Sequence, residues 1–284
     1  MTLIAGPSGD GDLPAVATRL ASDLRVEIDW LAPGIACDIA GDAATEVAAR
    51  TTIGALPIDV IVQPAAGRRK RLLVADLEST IIENEMLEEL ANFLGLRAHV
   101  AEITRRAMNG EIDFVGALTE RVALLRGLPV SVLDKAAARI RLMPGAAALV
   151  ATLHRAGVTT TLVSGGFTVF AEPVAARLGF DRVIANRLDI ADGTLAGTVT
   201  PPVVGAATKR DTLAAFAAEF GLTLAETLAV GDGANDLPML QMAGLGIAFR
   251  AKPAVAAAAR WRIDHADLTA LLYAQGYRAG EIAE

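Results

Sequence analysis

Residues 72–80 read Leu-Leu-Val-Ala-Asp-Leu-Glu-Ser-Thr. The apolar run at 72–75 is typical of a parallel strand that is covered on both faces. Two carboxylates, Asp76 and Glu78, leave this strand two residues apart, and such charges are costly to bury unless something compensates them. A divalent cation would do so. The stretch therefore predicts the first strand of a parallel sheet with an acidic cluster at its carboxyl end.

The chain beyond this strand alternates between apolar runs and stretches with helical spacing. Further apolar runs lie at residues 159–163, 183–185, 227–230 and 245–249. Helical spacing lies between them, most clearly at residues 146–156 and 210–220. This alternation is typical of a parallel α/β sheet. Residues 186–200 contain Asp192-Gly193 between two short alternating runs, which predicts a β-hairpin.

Two further segments interrupt or precede this sheet. The stretch from about residue 86 to 142 has helical patterning and no clear strand, which indicates an insertion after the first strand. Residues 1–66 favour a small ferredoxin-like α+β sandwich in the order β-α-β-β-α-β. Its expected strands are 2–5, 26–30, 35–39 and 58–63, and its expected helices are 13–24 and 43–52. Residues 64–71 contain Pro, Gly and a basic run, which indicates a solvated linker.

The composition argues against several classes of protein. The 284 residues are 53% hydrophobic, which argues against disorder because there is ample side chain for a packed core. The net charge of −7 disfavours a nucleic-acid binder, whose affinity depends on Lys and Arg. The single cysteine, Cys37, excludes an internal disulfide and is expected to be a small buried hydrophobe. With no signal peptide and no apolar run of about 18 residues, we expect a cytoplasmic protein without a membrane span.

Polar residues also follow the later elements. Ser164-Gly-Gly comes directly after the run at 159–163, and the two glycines let backbone N–H groups approach an anion. Lys209 lies near the start of a helix and is a compact cation suited to phosphate. Gly231-Asp-Gly-Ala-Asn-Asp236 follows the run at 227–230 and adds two carboxylates. Because ligands bind at the carboxyl ends of strands in open α/β sheets, we expect these groups to share one site with Asp76.

This order of clusters resembles the haloacid dehalogenase superfamily of phosphatases, and within it the phosphoserine phosphatase family. The resemblance runs from about residue 71 to 276. Besides the cluster at residues 76–80, it rests on Glu85, Ala107-Met-Asn-Gly-Glu-Ile-Asp-Phe114, Arg121-Val-Ala-Leu-Leu-Arg-Gly127, Ser164-Gly-Gly-Phe-Thr168 and Gly231-Asp-Gly-Ala-Asn-Asp-Leu-Pro-Met239. It implies an α/β fold: a Rossmannoid parallel sheet in a phosphatase domain, residues 67–284, with a helical cap at about 86–142. Residues 1–66 are similar only in position to the ACT-like amino-acid-binding domain of some relatives.

The resemblance also implies an activity and catalytic roles. The activity is hydrolysis of O-phospho-L-serine to L-serine and phosphate, the last step of serine biosynthesis. Asp76 would be the nucleophile that forms an aspartyl-phosphate, and Glu78 the general acid–base. Ser164, the Gly165 N–H and Lys209 would hold the transferring phosphoryl oxygens.

The implied cofactor is Mg²⁺. The resemblance assigns it to the Asp76 side chain, the Glu78 backbone carbonyl and the Asp232 carboxylate, with Asp236 supporting them. Carboxylate and carbonyl oxygens are the hard ligands that this ion prefers.

The implied substrate contacts lie mostly in the cap. Glu85 would meet the substrate ammonium, and Arg121 would take its carboxylate through a bidentate fork. Met108 and Phe114 would supply an apolar wall, and Asn235 belongs to the same substrate-binding set. Without the resemblance, Arg121 would be interpreted as half of a surface ion pair, for example with the neighbouring Glu120.

The first motif departs from the family at one position. The family reads Asp-x-Asp-x-Thr, and this chain has Glu78 at the second acidic position. The intrinsic pKa values are close, about 4.3 against 3.9, so the extra methylene changes the geometry rather than the acidity. General acid–base help is worth about 10²–10⁴-fold, so the change bears on rate, acceptor and substrate.

Three alternatives remain open on the sequence. They are a phosphatase for another small phosphorylated metabolite, a phosphotransferase with an alcohol acceptor such as homoserine, and a non-catalytic phosphoserine- or serine-sensing module. The expected partner is in each case a small phosphomonoester, with neither nucleic acid nor membrane, and a homodimer is left open.

Other catalytic classes are disfavoured. A serine hydrolase needs Gly two residues before the nucleophile, where this chain has Leu162. A dinucleotide fingerprint needs a third Gly, where this chain has Asp236. The histidines lack metal-ligand spacing; they are His99, His154 and His265.

Overall fold

The computed structural model describes residues 1–9, 11–108 and 111–283, without the side chains of Ala43 and Met108. Within these ranges the chain forms one antiparallel and one mainly parallel sheet. The strands are β1 Thr2–Ala5, β2 Ile28–Ala32, β3 Ala36–Ile39, β4 Ile58–Ile61, β5 Leu72–Ala75, β6 Thr159–Phe167, β7 Arg182–Ala191, β8 Thr194–Thr200, β9 Thr227–Gly231, β10 Leu245–Phe249 and β11 Trp261–Ile263. The helices are α1 Leu13–Leu24, α2 Ala43–Ile53, α3 Met86–Asn92, α4 Arg97–Met108, α5 Phe114–Ala123, α6 Ser131–Ala137, α7 Ala146–Arg155, α8 Thr168–Leu178, α9 Ala206–Glu219, α10 Leu237–Met242, α11 Pro253–Ala258 and α12 Ala270–Ala274.

The first sheet belongs to residues 1–66, which we call the N-terminal unit. Its strands lie in the order β2-β3-β1-β4, and every neighbouring pair is antiparallel. This is the strand order of a ferredoxin-like sandwich, as the sequence predicts. On the helix-covered face, Leu3, Leu13 and Cys37 belong to one apolar cluster. Cys37 is free, and burial raises the pKa of its thiol to about 12, so the expectation of a small buried hydrophobe is confirmed.

The second sheet has the order β11-β10-β9-β5-β6-β7-β8 and is parallel except for the β7–β8 pair. The four residues of β5 are fully buried at the centre of the sheet, as their unbroken apolar run predicts. The expected hairpin is present, and Asp192 and Gly193 both have positive φ, at 48° and 74°. Positive φ at both central residues is typical of a type I′ turn.

The helical insertion predicted after the first strand is also present. It comprises α3 to α6, and its described residues contain helices and two isolated bridge residues, Pro129 and Leu142, but no strand. The chain returns beside its own exit, because Ile82 bridges Leu142 and the Met143 N–H donates to the Ile81 carbonyl at 2.9 Å. The insertion is therefore attached to the sheet by two adjacent segments. No helix in the described ranges is both long enough and apolar enough to cross a membrane.

The N-terminal unit packs tightly onto the rest of the chain. The face of its sheet opposite the helices carries Ile4, Leu31 and Ile61, which belong to the same apolar cluster as Leu271 and Leu272 of α12. At the rim of this contact, the Asp59 carboxylate is 4% exposed and accepts backbone N–H groups of three consecutive residues, at 2.8–3.3 Å. Those residues are Asp264, His265 and Ala266.

The basic run that links the two sheets is not solvated throughout. Lys70 is 7% exposed, and its Nζ donates to the carbonyls of Gly67 and Ala225 at 2.9 and 2.8 Å. The three arginines beside it form ion pairs, namely Arg68 with Asp38, Arg69 with Glu281 and Arg71 with Glu226. The run is therefore anchored mostly to the rest of the chain, with Arg68 bonded to the N-terminal unit, and it does not offer a free basic patch.

Removal of the Asp59 carboxylate is expected to destabilise the protein. Asp59→Ala leaves buried N–H groups without acceptors, and we expect the free energy of unfolding to fall by about 3 kcal/mol. The matched control is Arg278→Ala, which breaks the exposed Arg278–Asp29 ion pair across the same contact and should cost less than about 1 kcal/mol. Urea unfolding measures both values, and equal losses would contradict the role given to Asp59.

Candidate active site

Three carboxylates meet at the carboxyl ends of the central strands. Asp76 follows β5, Asp232 follows β9, and Asp236 directly precedes α10. Because β5 and β9 are parallel neighbours with Ala75 opposite Val230, their ends deliver Asp76 and Asp232 to the same edge. All three side chains are buried, and they can each offer an oxygen within 4.8 Å of the others. The sequence-predicted acidic cluster therefore forms.

Lys209 is placed inside this cluster. Its side chain is fully buried, and Nζ lies 2.6 Å from Asp76 Oδ1 and 2.7 Å from Asp236 Oδ1. Burial alone would lower the pKa of Lys209, but Asp236 and Asp76 raise it above its ordinary value. Burial and Asp236 hold the pKa of Asp76 well above its usual range, although Lys209 opposes them. Lys209 contacts two of the carboxylates and Lys252 Nζ lies 3.8 Å from the third, Asp232, so three carboxylates face two cations and a surplus of negative charge remains.

The donor set fits a divalent cation. Within the described ranges, Asp76 Oδ2 and Asp232 Oδ1 accept no hydrogen bond, whereas Asp236 Oδ2 accepts the Gly233 N–H at 3.0 Å. Burial raises the pKa of Asp232 to about 7, with Lys252 opposing the shift. Free carboxylate oxygens with a surplus of charge are what a hard cation such as Mg²⁺ binds.

Glu78 follows Asp76 by two residues, and its carboxyl group is hydrogen-bonded to the start of the cap. Its Oε1 accepts the N–H of Met86, the first residue of α3, at 2.9 Å. A Cβ on Gly166 would lie 3.0 Å from the Glu78 carboxyl carbon, so the Glu78 carboxyl group packs directly against this glycine. Burial and the neighbouring Glu85 raise the pKa of Glu78 to about 8. Glu78 can therefore carry a proton near neutral pH, as a general acid requires.

Glu85 is held by a residue that the sequence analysis missed. Ser79 has a φ of 55°, which is uncommon for a residue with a Cβ, and its Oγ donates to Glu85 Oε1 at 2.7 Å. Glu85 directly precedes α3 and therefore stands at the entry to the cap. The loop after β5 and the start of the cap are joined by this bond and by the Met86–Glu78 bond.

The end of β6 supplies the predicted anion-binding segment. Ser164 is buried, and its Oγ accepts the Gly166 N–H at 2.9 Å. A Cβ on Gly165 would lie 3.0 Å from Phe114 Cζ and 3.9 Å from Asn235 Nδ2. The structure thus places Phe114 and Asn235 against this glycine. The side chain of Met108, the other half of the expected apolar wall, lies outside the described residues.

Arg121 is not part of a surface ion pair. Its Nε donates to the Ala117 carbonyl at 3.1 Å and its Nη1 to Thr104 Oγ1 at 3.3 Å. Glu120 instead pairs with Arg106 at 3.0 Å, and Arg121 has no ion-pair partner among the described residues. Burial lowers the pKa of Arg121, while the charges of Glu78 and Glu85 oppose that shift. A half-buried guanidinium with free donors, close enough to Glu78 and Glu85 to feel their charges, is available for an anionic ligand.

Two more residues at this edge escaped the sequence analysis. Lys252 lies three residues beyond β10, and its Nζ is 3.8 Å from Asp232 Oδ2. Because Lys252 follows a strand of the same sheet, its position in the sequence could have indicated that it lies at this edge. Asn186 is buried within β7 and hydrogen-bonds to Gly165 and Val204, and nothing in the sequence marked it. His154 contacts Thr160 and Asp181, away from the carboxylates.

The arrangement has the parts needed for phosphoryl transfer. Asp76 offers a carboxylate oxygen as a nucleophile, and Lys209 supplies a fixed positive charge beside it. Glu78 offers a proton from the cap side. A phosphate between Lys209 and the Gly165 segment would meet cations and backbone donors in a largely buried site, where their electrostatic effect is strong.

Comparison with known proteins agrees with this geometry. Residues 73–241 match the haloacid dehalogenase-like hydrolase family. The chain is 45% identical over 227 residues to phosphoserine phosphatase SerB2 of Mycobacterium tuberculosis and 46% identical over 234 residues to phosphoserine phosphatase of Streptomyces coelicolor. These matches cover 79% and 82% of this chain but only 56% and 57% of those two proteins.

Solved structures show the same fold. A haloacid dehalogenase family hydrolase from Salmonella enterica serovar Typhi superposes with a TM-score of 0.84 at 28% identity, over 97% of both chains. A probable phosphoserine phosphatase from Vibrio cholerae reaches 0.80 at 32% identity, over 99% of this chain and 87% of that one. A phosphoserine phosphatase described as a phospho-aspartyl intermediate analogue reaches 0.68 at 38% identity, over 72% of this chain and 98% of that one.

Proposed function

Because this chain belongs to the haloacid dehalogenase-like hydrolases, we propose that it hydrolyses O-phospho-L-serine to L-serine and inorganic phosphate. The observation that carries the proposal is the buried Lys209 ammonium between Asp76 and Asp236, with Asp232 beside them. The phosphoserine phosphatases among its relatives support the choice of substrate. The phospho-aspartyl analogue among the similar structures supports a covalent intermediate.

The first half-reaction transfers the phosphoryl group to Asp76. A carboxylate oxygen of Asp76 attacks phosphorus, and the bond between phosphorus and the serine oxygen breaks. Glu78 donates its proton to that oxygen, so serine leaves as an alcohol. Lys209, Ser164 and the Gly165 N–H bind the phosphoryl oxygens and stabilise their charge during transfer.

The second half-reaction releases phosphate. Glu78, now ionised, accepts a proton from a water molecule as that water attacks phosphorus. The bond between phosphorus and the Asp76 oxygen breaks and restores the carboxylate. The raised pKa of Glu78, about 8, suits it to both donate and accept a proton near neutral pH.

We propose Mg²⁺ as the metal. Asp76 and Asp232 would hold it through their free carboxylate oxygens, with the Glu78 backbone carbonyl as a further ligand, and Asp236 would support them. When bound, the ion supplies positive charge that offsets the carboxylate surplus and polarises a phosphoryl oxygen.

Residues of the cap and its entry would bind the ammonium and carboxylate groups of the substrate. Glu85 is held by Ser79 through one oxygen and keeps its other oxygen for the substrate ammonium. Arg121 has unpaired guanidinium donors for the carboxylate. Phe114 would cover the phosphoryl segment at Gly165, with Asn235 beside it.

The assignment of Arg121 leads to a substrate-dependent effect. Arg121→Ala should raise the KM for phosphoserine by about 30- to 150-fold, since a charge-assisted hydrogen-bond pair is worth roughly 2–3 kcal/mol. Phosphoethanolamine lacks the carboxylate, so its KM should stay nearly unchanged. The matched control is Arg106→Ala, a cap arginine already paired with Glu120. Equal KM changes on both substrates would rule the assignment out.

A product assay separates hydrolysis from transfer. The chain is incubated with phosphoserine and Mg²⁺, with and without homoserine, and both phosphate and phosphohomoserine are quantified. We expect phosphate in molar equality with serine in both cases. Phosphohomoserine as the main product would instead identify a phosphotransferase, and faster release from another phosphate ester would identify a different substrate.

We further propose that residues 1–66 and 67–284 are the two domains, with the cap at about 86–142. The N-terminal unit would be an ACT-like domain that serves as a fixed support. Its buried bonds through Asp59 and its apolar packing onto α12 favour this over a loosely tethered domain. The cytoplasm is the proposed compartment, because an enzyme of serine biosynthesis works where its substrate is made.

A further inference from the structure

The buried side chain of Asn186 joins two separate parts of the site. It lies within β7 and is 1% exposed. Its Nδ2 donates to the Gly165 carbonyl at 2.8 Å and to the Val204 carbonyl at 3.3 Å. Its Oδ1 accepts the Val204 N–H at 2.7 Å. Both donor hydrogens and the acceptor of this amide are therefore used.

The two segments that Asn186 joins carry different phosphoryl-binding groups. Gly165 directly follows Ser164 at the end of β6. Val204 is followed by Gly205, which caps α9, and the Lys209 N–H donates to the Gly205 carbonyl at 3.0 Å in the first turn of that helix. A single side chain thus links the backbone donors of one segment to the helix that carries the Lys209 ammonium.

Regular sheet pairing does not hold the Gly165 segment. The register between β6 and β7 shifts between Val163 and Phe167, so the ladder is interrupted at the residues between them. A partly buried carbonyl that loses its ladder partner is best satisfied by another donor within the protein. For Gly165 that donor is Asn186. The same region is packed closely, because a Cβ on Gly165 or Gly205 would lie 3.0 or 3.2 Å from Phe114.

We propose that Asn186 is a positioning residue that sets the spacing between the Gly165 backbone and Lys209 during phosphoryl transfer. The proposal rests on the proposed function, since it concerns the same phosphoryl site. Charge-stabilising groups must be held in place before the reaction, and a displacement of about 1 Å can cost about 10²-fold in rate. Loss of the two donors of Asn186 releases both carbonyls and loosens that spacing.

The test uses two variants and a control of similar burial. Asn186→Asp keeps the acceptor for Val204 but places oxygen against two carbonyls, and Asn186→Ala removes the amide altogether. Thr160→Val is the control, because Thr160 is fully buried in β6 and its hydroxyl contacts Asp181 at 3.1 Å, away from the site. Either Asn186 variant that folds suffices for the comparison.

We expect both Asn186 variants to lower kcat for phosphoserine by about 10- to 100-fold, with KM changed less than about threefold. Orthovanadate mimics the geometry of the transferring group and should bind more weakly by a similar factor. Hydrogen exchange at residues 164–167 should rise. Thr160→Val should change none of these. Unchanged kcat and orthovanadate affinity in a folded Asn186 variant would overturn the proposal.

The readouts separate this proposal from the proposed function. If the unaltered chain does not hydrolyse phosphoserine, the proposed substrate fails, yet orthovanadate binding still tests Asn186. Weaker orthovanadate binding with raised exchange then supports the positioning role. Equal binding to the unaltered chain and the Asn186 variants contradicts it.

Discussion

Asp76→Asn is expected to reduce phosphoserine hydrolysis by about four orders of magnitude or more, the scale seen when a covalent nucleophile is removed. The amide keeps the size of the side chain and an oxygen for Lys209 but is a poor nucleophile, so no acyl phosphate forms. Acid-quenched labelling with radioactive phosphoserine should detect phosphoenzyme in the unaltered chain and none in the variant.

Folding provides the internal control for this variant. Because burial and Asp236 raise the pKa of Asp76, its negative charge is costly in the metal-free protein, and its removal should not lower the melting temperature by more than a few degrees. Asp211→Asn, an exposed residue of α9 paired with Arg210, should leave both labelling and rate unchanged. Undiminished labelling of Asp76→Asn would remove Asp76 from the mechanism.

Lys209→Met is expected to have the second largest effect, on both stability and rate. The substitution leaves Asp76 and Asp236 buried without their cation, and breaking a buried ion pair from one side costs about 3–5 kcal/mol. The rate should fall by about 10²–10³-fold, because a donor to the phosphoryl oxygens is lost. Denaturant unfolding of the metal-free protein and phosphate release measure the two effects.

Metal and pH should modulate the loss of stability in Lys209→Met. Mg²⁺ is expected to restore part of it by binding the same carboxylates. The loss should also shrink as pH falls, because burial and Asp236 raise the pKa of Asp76, and its protonation removes a charge that Lys209 compensates. The exposed Lys135→Met of α6 is the control. A loss no greater than that of the control would show that the Lys209 ion pairs contribute little.

The sequence patterns predict the central sheet well where the signal is local. β5 and β10 have the expected bounds, since their unbroken apolar runs are covered on both faces. β2 was predicted at 26–30 but lies at 28–32. The reason is that Arg25 adopts a left-handed conformation after α1 and the Val26 N–H bonds back to the Ala21 carbonyl, so Val26 belongs to the C-terminal cap of α1 and does not start the strand.

Tertiary contacts explain the elements that the sequence patterns missed. β11 has only three residues, too few for a period to be visible, and its Trp261 Nε1 donates to the Val62 carbonyl of the N-terminal unit at 2.7 Å. The linker residue Lys70 was expected in solvent but finds carbonyl partners at residues 67 and 225. Neither contact is encoded in a local pattern.

The residues of the site also divide into those with a local sequence signal and those that depend on tertiary contacts. The residues that follow strands, such as Asp76 and Asp232, could be placed together because parallel strands end at one edge. The room for Glu78 could not be foreseen, since it depends on Gly166 and on the Met86 N–H approaching from two other segments. The role of Asn186 could not be predicted for a similar reason, because its partners come from β6 and from the segment before α9.

Initial-rate release of inorganic phosphate from O-phospho-L-serine by the full chain shows whether Asp76 and Glu78 together catalyse hydrolysis. With Mg²⁺ we expect turnover of at least about 1 s⁻¹, in the usual range for enzymes, and its loss on addition of EDTA. A folded protein that binds phosphoserine in the presence of Mg²⁺ and releases no phosphate would contradict the account, because Asp76 and Glu78 would then not act as nucleophile and acid–base.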